Sequence, residues 1–86
     1  MDSAASSASD ATLVDRLRAS HDAAAIAEIV RRYAPMVYGA CLRRGPADAA
    51  ARTCLGIFRT LVAEPGAARG ALPVWLHERV LTQTPG

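Results

Sequence analysis

The run DAAAIAEIVRRYAPMVY, residues 22–38, decides the fold. Within it Ile26, Ile29, Val30 and Tyr33 recur at the i, i+3, i+4, i+7 spacing, which lines them along one side of an α-helix. Glu28 stands four residues before Arg32, the order favoured for a helix-surface ion pair. Ser20 and Asp22 flank His21 at a break and offer two capping side chains, so a helix is expected over about 22–34. Pro35 disfavours helical geometry at Ala34, which predicts a kink or a new start there. A third segment near 35–44 then has Val37, Tyr38, Cys41 and Leu42 available for burial. On this reading Arg31-Arg32 and Arg43-Arg44 close two successive segments, where cations oppose the helix dipole. Alternatively they form a basic surface for phosphate or an acidic partner.

Upstream, Ser9 or Asp10 suits an N-cap before Leu13, Val14 and Leu17, and the Leu13–Leu17 spacing makes one apolar stripe in a helix over about 10–19. Downstream, Gly45-Pro46 punctuates the chain, since Gly ends helices and Pro begins them. A helix over 47–63 follows, with Asp48 in its first turn and Cys54, Leu55, Ile57, Phe58, Leu61 and Val62 expected inward. Gly56 is its weak point. Residues 64–73 read as a loop, and a last helix near 74–82 carries Val74, Trp75, Leu76 and Val80. The polar run MDSAASSAS, residues 1–9, is expected to be a disordered tail, and residues 84–86 a short C-terminal one. No segment alternates at period two. The fold class is therefore all-α, a small bundle of four to five helices over residues 10–83.

Composition agrees with that class. Half of the 86 residues are hydrophobic (51%), but many are Ala and only 5% are aromatic, so the core is small and helix is favoured. All ten basic residues are Arg, spread in pairs and singly along the chain, and the net charge of +2 decides nothing about partners. No apolar run is long enough for a membrane span, and the acidic, Ser/Ala-rich start is unlike a signal peptide; a cytoplasmic protein without a membrane partner is expected. Cys41 and Cys54 lack zinc-ligand spacing, and the only histidines, His21 and His77, read as surface residues, so buried thiols are expected rather than a metal site or a disulfide. No phosphate loop, nucleophile elbow or metalloprotease motif is present; neither an enzyme nor a cofactor is expected.

The order of the pieces carries more. The stretch DATLVDRLRA at 10–19, followed by DAAAIAEIVRRYAPMVY at 22–38, resembles the N-terminal domain (region two) of extracytoplasmic-function sigma factors. That family repeats the pattern D-x-x-L-V-x-R-L-R-x-G-D-x-x-A-F-x-x-L-V-R-R-Y-x-P-x-V-Y. The match is dense over residues 10–44 and looser through Ile57, Phe58 and Leu61 to LPVWL at 72–76, similar to the family's W-L start of its last helix. The resemblance implies a compact helical domain for transcription initiation. It would dock on RNA polymerase core and contact promoter DNA at the Pribnow element, where unstacked bases lie on aromatic faces and Arg tracks phosphates. Carried onto this chain, the polymerase-facing positions include Arg52 and Leu55, and the nucleic-acid-facing ones Arg69, Trp75 and Arg79, with core packing as the other role for Trp75.

The departures fall on those positions. Where the family has D-A-E-D-x-x-Q-E before the residue matching Phe58, this chain has Ala49, Ala50, Ala51, Arg52, Thr53, Cys54, Leu55 and Gly56. Where the family's last helix has Arg and Asn, this chain has Glu78 and Thr82, with Arg79 one step round the helix. The family's second, helix-turn-helix domain is not among these residues. The expected function is thus a sigma-like domain for transcription initiation. The alternative is a degenerate sigma-like module that binds protein, including an anti-sigma-type partner, and reads no promoter. A plain small helical domain ranks third.

Overall fold

A computed structural model describes residues 7–84 of the chain. Among the described residues there are four α-helices, α1 (Asp10–Ser20), α2 (Ala23–Leu42), α3 (Ala47–Ala63) and α4 (Leu72–Gln83), a 3-10 turn at Pro65–Ala67, and no strand. The all-α bundle is the architecture the spacing predicts. No helix is long and apolar enough to cross a membrane.

Each helix starts and stops for a local reason. Ser9 caps α1, its hydroxyl accepting from the Thr12 N–H at 3.2 Å. At the other end His21 takes the left-handed conformation (φ 50°), and its N–H bonds the Leu17 carbonyl at 2.9 Å. Asp22 then caps α2 through the N–H groups of Ala24 and Ala25 at 2.9 and 3.3 Å. The second oxygen of the Asp22 carboxylate accepts from Arg16 Nε at 2.7 Å, so one side chain fixes the joint between α1 and α2. That arginine, with the two backbone donors, holds the Asp22 carboxyl below its ordinary range against the opposing effect of burial.

Two expectations need correction here. Pro35 does not start a new helix: α2 runs unbroken for 20 residues with Pro35 inside it. The proline forfeits one intrahelical bond, the one to the Arg31 carbonyl. Burial on both sides of it, with Ala25 and Ile29 before and Val37, Ala40 and Cys41 after, carries the helix across. Arg31-Arg32 therefore lies in mid-helix and does not oppose a C-terminal dipole. Arg43 does cap the end of α2, and Arg44 reaches across to the Thr84 hydroxyl at 2.5 Å. The tail expected over 1–9 falls outside the described residues except for 7–9, where Ser9 caps α1 and the Ala8 carbonyl accepts from Arg32 at 2.7 Å. Of the expected tail at 84–86 only Thr84 is described.

The core gathers Leu13, Val14 and Leu17 of α1, Ile29, Val37 and Cys41 of α2, Ile57, Phe58 and Leu61 of α3, and Leu72, Trp75, Leu76 and Val80 of α4. Helix α2 is the axis of the bundle and packs against all three others. Small residues let the helices approach: Ala25, Ala40 and Ala50 are buried on α2 and α3, and Ala68 is buried in the connection before α4. Leu55 was expected inward but is 52% exposed, and Val74 is 57% exposed. At 100° per residue Leu55 stands about 200° round α3 from the buried Ile57, and Val74 about 200° round α4 from Leu76, so neither can share that side of its helix. Tyr38 and Leu42 likewise stay exposed on α2.

Candidate functional site

Two features of α2 compete for attention. On the side toward α1 lies a knot of charge. Glu28, only 7% exposed, accepts from Arg31 at 2.6 and 3.0 Å and from Arg32 Nε at 2.6 Å. Arg32 continues to the Asp10 carboxylate at 3.1 Å, and Tyr33 donates its hydroxyl to the other Asp10 oxygen. The Arg31 and Arg32 hydrogen bonds hold the Glu28 carboxyl down at about 2, against burial, which works the other way. Burial, reinforced by the negative charge of Asp10, pushes the Tyr33 phenol up to about 12. The expected Glu28–Arg32 pair is present, but as part of a network that clamps α1 onto α2. Asp10, Arg32 and Tyr33 are letters of the sigma-like pattern, and in this chain they serve the fold.

On the opposite side the molecule leaves apolar surface uncovered. Two adjoining hollows of about 480 and 430 Å³ run between α2 and α3, sharing Val30, Leu55 and Phe58. Ile26, Val30, Ala34 and Tyr38 form one wall at a spacing of four; Ala51, Leu55 and Val62 form the other. Pro35 lines the groove too, presenting a ring and no donor. Cys54 lies half-buried in it. Burial pushes the Cys54 thiol up, with the nearby Cys41 thiol adding to the shift, and burial alone raises Cys41. Both thiols are therefore poor nucleophiles.

The positions carried over from the resemblance separate. Arg52 and Leu55 share the exposed side of α3 bordering the groove. Arg52 pairs with Asp48 at 3.7 Å, with both side chains more than 70% exposed. Trp75 and Arg79 are brought together, the guanidinium lying 5.9 Å from the ring centroid, a cation–π distance. The Trp75 ring is 8% exposed and packs in the core, so a base cannot lie flat on it in this arrangement. Arg79 Nε is buried without a partner. Arg69 is elsewhere, exposed in the turn before α4, where it borders a cleft of about 670 Å³ against the start of α1. That cleft mixes Arg18 and Arg69 with Asp10 and Asp15, and Arg18 is already bonded to the Pro65 and Ala68 carbonyls at 3.4 and 3.2 Å. Among the described residues no three His, Cys, Asp or Glu side chains gather where they could hold a metal ion.

Compared with protein-family models, curated proteins and solved structures, the chain matches none.

Sequence reasoning missed the groove because its residues were assigned inward. The signal was present: the 26, 30, 34, 38 spacing and the wide apolar set of 51–62 together exceed what one small core can cover.

Proposed function

We propose that this chain is a sigma-region-two-like module that docks on protein through its α2–α3 face, with RNA polymerase core as the partner the resemblance implies. The observation that carries the reading is the uncovered apolar groove, which includes Leu55 and borders Arg52, the two positions carried over as polymerase-facing. A groove of this kind gains affinity by burying apolar surface, with a polar rim that sets orientation. Promoter contact has less support, because Trp75 is occupied in the core and Arg69 stands apart from Arg79.

One observation favours the alternative, a module that kept the fold and left the polymerase. Arg52, one turn from the groove residue Leu55, stands where the resemblance calls for an acidic side chain, and Arg59 lines one end of the groove. The experiment is a binding titration of the purified chain against polymerase core, with an Arg52→Asp, Gly56→Glu double variant alongside. Micromolar or tighter binding by the natural chain supports the sigma-type function. Binding only by the double variant points to the protein-binding alternative. If neither chain binds, the polymerase reading fails.

A further inference from the structure

The geometry points to a specific occupant for the α2–α3 groove: an amphipathic α-helix with an apolar stripe and carboxylates on its flanks. The inference rests on the docking reading above and adds the chemistry of the partner. The groove follows α2 from residue 26 to residue 38, about 18 Å at 1.5 Å per residue, which accommodates roughly three turns of a partner helix. Val30, Leu55 and Phe58 line both hollows and make them continuous, so an i, i+3, i+4, i+7 stripe of Leu-sized side chains matches the groove.

Among the residues lining the two hollows the charged side chain is Arg59, a cation. No carboxylate lines either hollow. Arg59 lines one end, close to His21, and has no ion-pair partner among the described residues. Arg52 stands one turn from Leu55, and its partner Asp48 is exposed and loosely held at 3.7 Å, a pair that contributes little and exchanges readily. Glu64, next to the groove residue Ala63, is outside the lining. An occupant with basic flanks would face uncompensated cations, whereas one with acidic flanks would engage Arg59 and compete for Arg52. Charge of this kind selects among partners more than it adds raw affinity.

The test uses two synthetic peptides of about sixteen residues with the same Leu stripe, one with Glu on its flanks and one with Lys. Each is titrated into the ¹⁵N-labelled full chain. The Glu peptide is expected to bind at least about ten-fold tighter, moving amides in residues 26–38 and 51–62. Arg59→Glu is expected to reverse the preference. Leu55→Asp is expected to abolish binding of both peptides while the far-ultraviolet circular dichroism is unchanged. Equal affinities, or a preference for Lys, overturn the acidic occupant but leave the docking face standing. Binding of neither peptide overturns both. Concentration-dependent dimerisation that moves the same amides without peptide assigns the groove to a second copy and overturns the inference.

Discussion

The two sides of α2 use their residues in opposite ways. Toward α1, charged groups are drawn in and satisfied within the chain: Glu28, Arg32, Asp10 and Tyr33 bond one another at the seam, with Arg31 joining Glu28 from its exposed edge. Toward the groove, apolar groups are left out: Leu55 and Tyr38 face solvent beside Val30 and Phe58. A polar cluster with every member partnered gives a unique packing of two helices, whereas an apolar strip with no cover is a surface waiting for one. Arg32 and Tyr33 of the sigma-like pattern thus belong to the seam, whereas its Pro35 and Tyr38 line the groove, and that side is the place to look for a partner.

The sharpest way to break this contrast is with two leucines. Leu17, fully buried where α1 meets α2 and α3, is expected to cost about 2–5 kcal/mol as Leu17→Ala, while Leu55→Ala is expected to stay within about 0.5 kcal/mol. Urea unfolding of both variants checks this; equal losses would mean that the groove is part of the core.

Acid probes the seam next. The Glu28 carboxyl is held at about 2 against an ordinary 4.5, so its folded state binds a proton less readily than the unfolded one. Its contribution is fully present above about pH 4.5 and is lost as pH falls toward 2. Asp22, also lowered, acts in the same direction. Midpoints of urea unfolding should fall across that window, and Glu28→Gln should be less stable at pH 7 and flatten the acid slope. An unchanged slope in the variant would show that Glu28 is not the group responsible.

Smaller effects sharpen the contrast further. Tyr33→Phe removes the hydroxyl that reaches Asp10 and is expected to cost about 1 kcal/mol, measured by the same unfolding experiment, whereas Tyr38→Phe on the exposed side should cost almost nothing. Gly56→Ala is expected to stabilise α3 by about 0.5–1 kcal/mol, because a Cβ there would meet only Gln83 Oε1 at 3.9 Å. A loss in thermal melting would show a closer approach of α4 than that distance allows.

The helices were legible because capping and spacing are local. Ser9, Asp22 and the Gly45-Pro46 break sit where the boundaries fall, and α3 spans the residues its pattern marks. The unbroken α2 was not legible, since a proline's effect depends on how much burial surrounds it. Neither were the roles of Arg31, Arg32 and Tyr33. Arg31 pairs locally with Glu28, but Asp10, the partner of Arg32 and Tyr33, lies some twenty residues earlier, and the αL turn at His21 folds it back onto them. The groove was half legible. Periodicity identifies the apolar stripes of α2 and α3, but which stripe is covered depends on where α4 packs. Ile57 is buried and Leu55 is left outside.

The most direct measurement compares two exposed apolar positions by charge insertion: Leu55→Asp in the groove and Val74→Asp on α4, each read for stability in urea and for binding to polymerase core and to the Glu-flanked peptide. The expected result is that both variants fold as stably as the natural chain, that Leu55→Asp loses binding, and that Val74→Asp keeps it. Binding that survives Leu55→Asp and is lost in Val74→Asp would contradict the assignment of the α2–α3 face as the working surface.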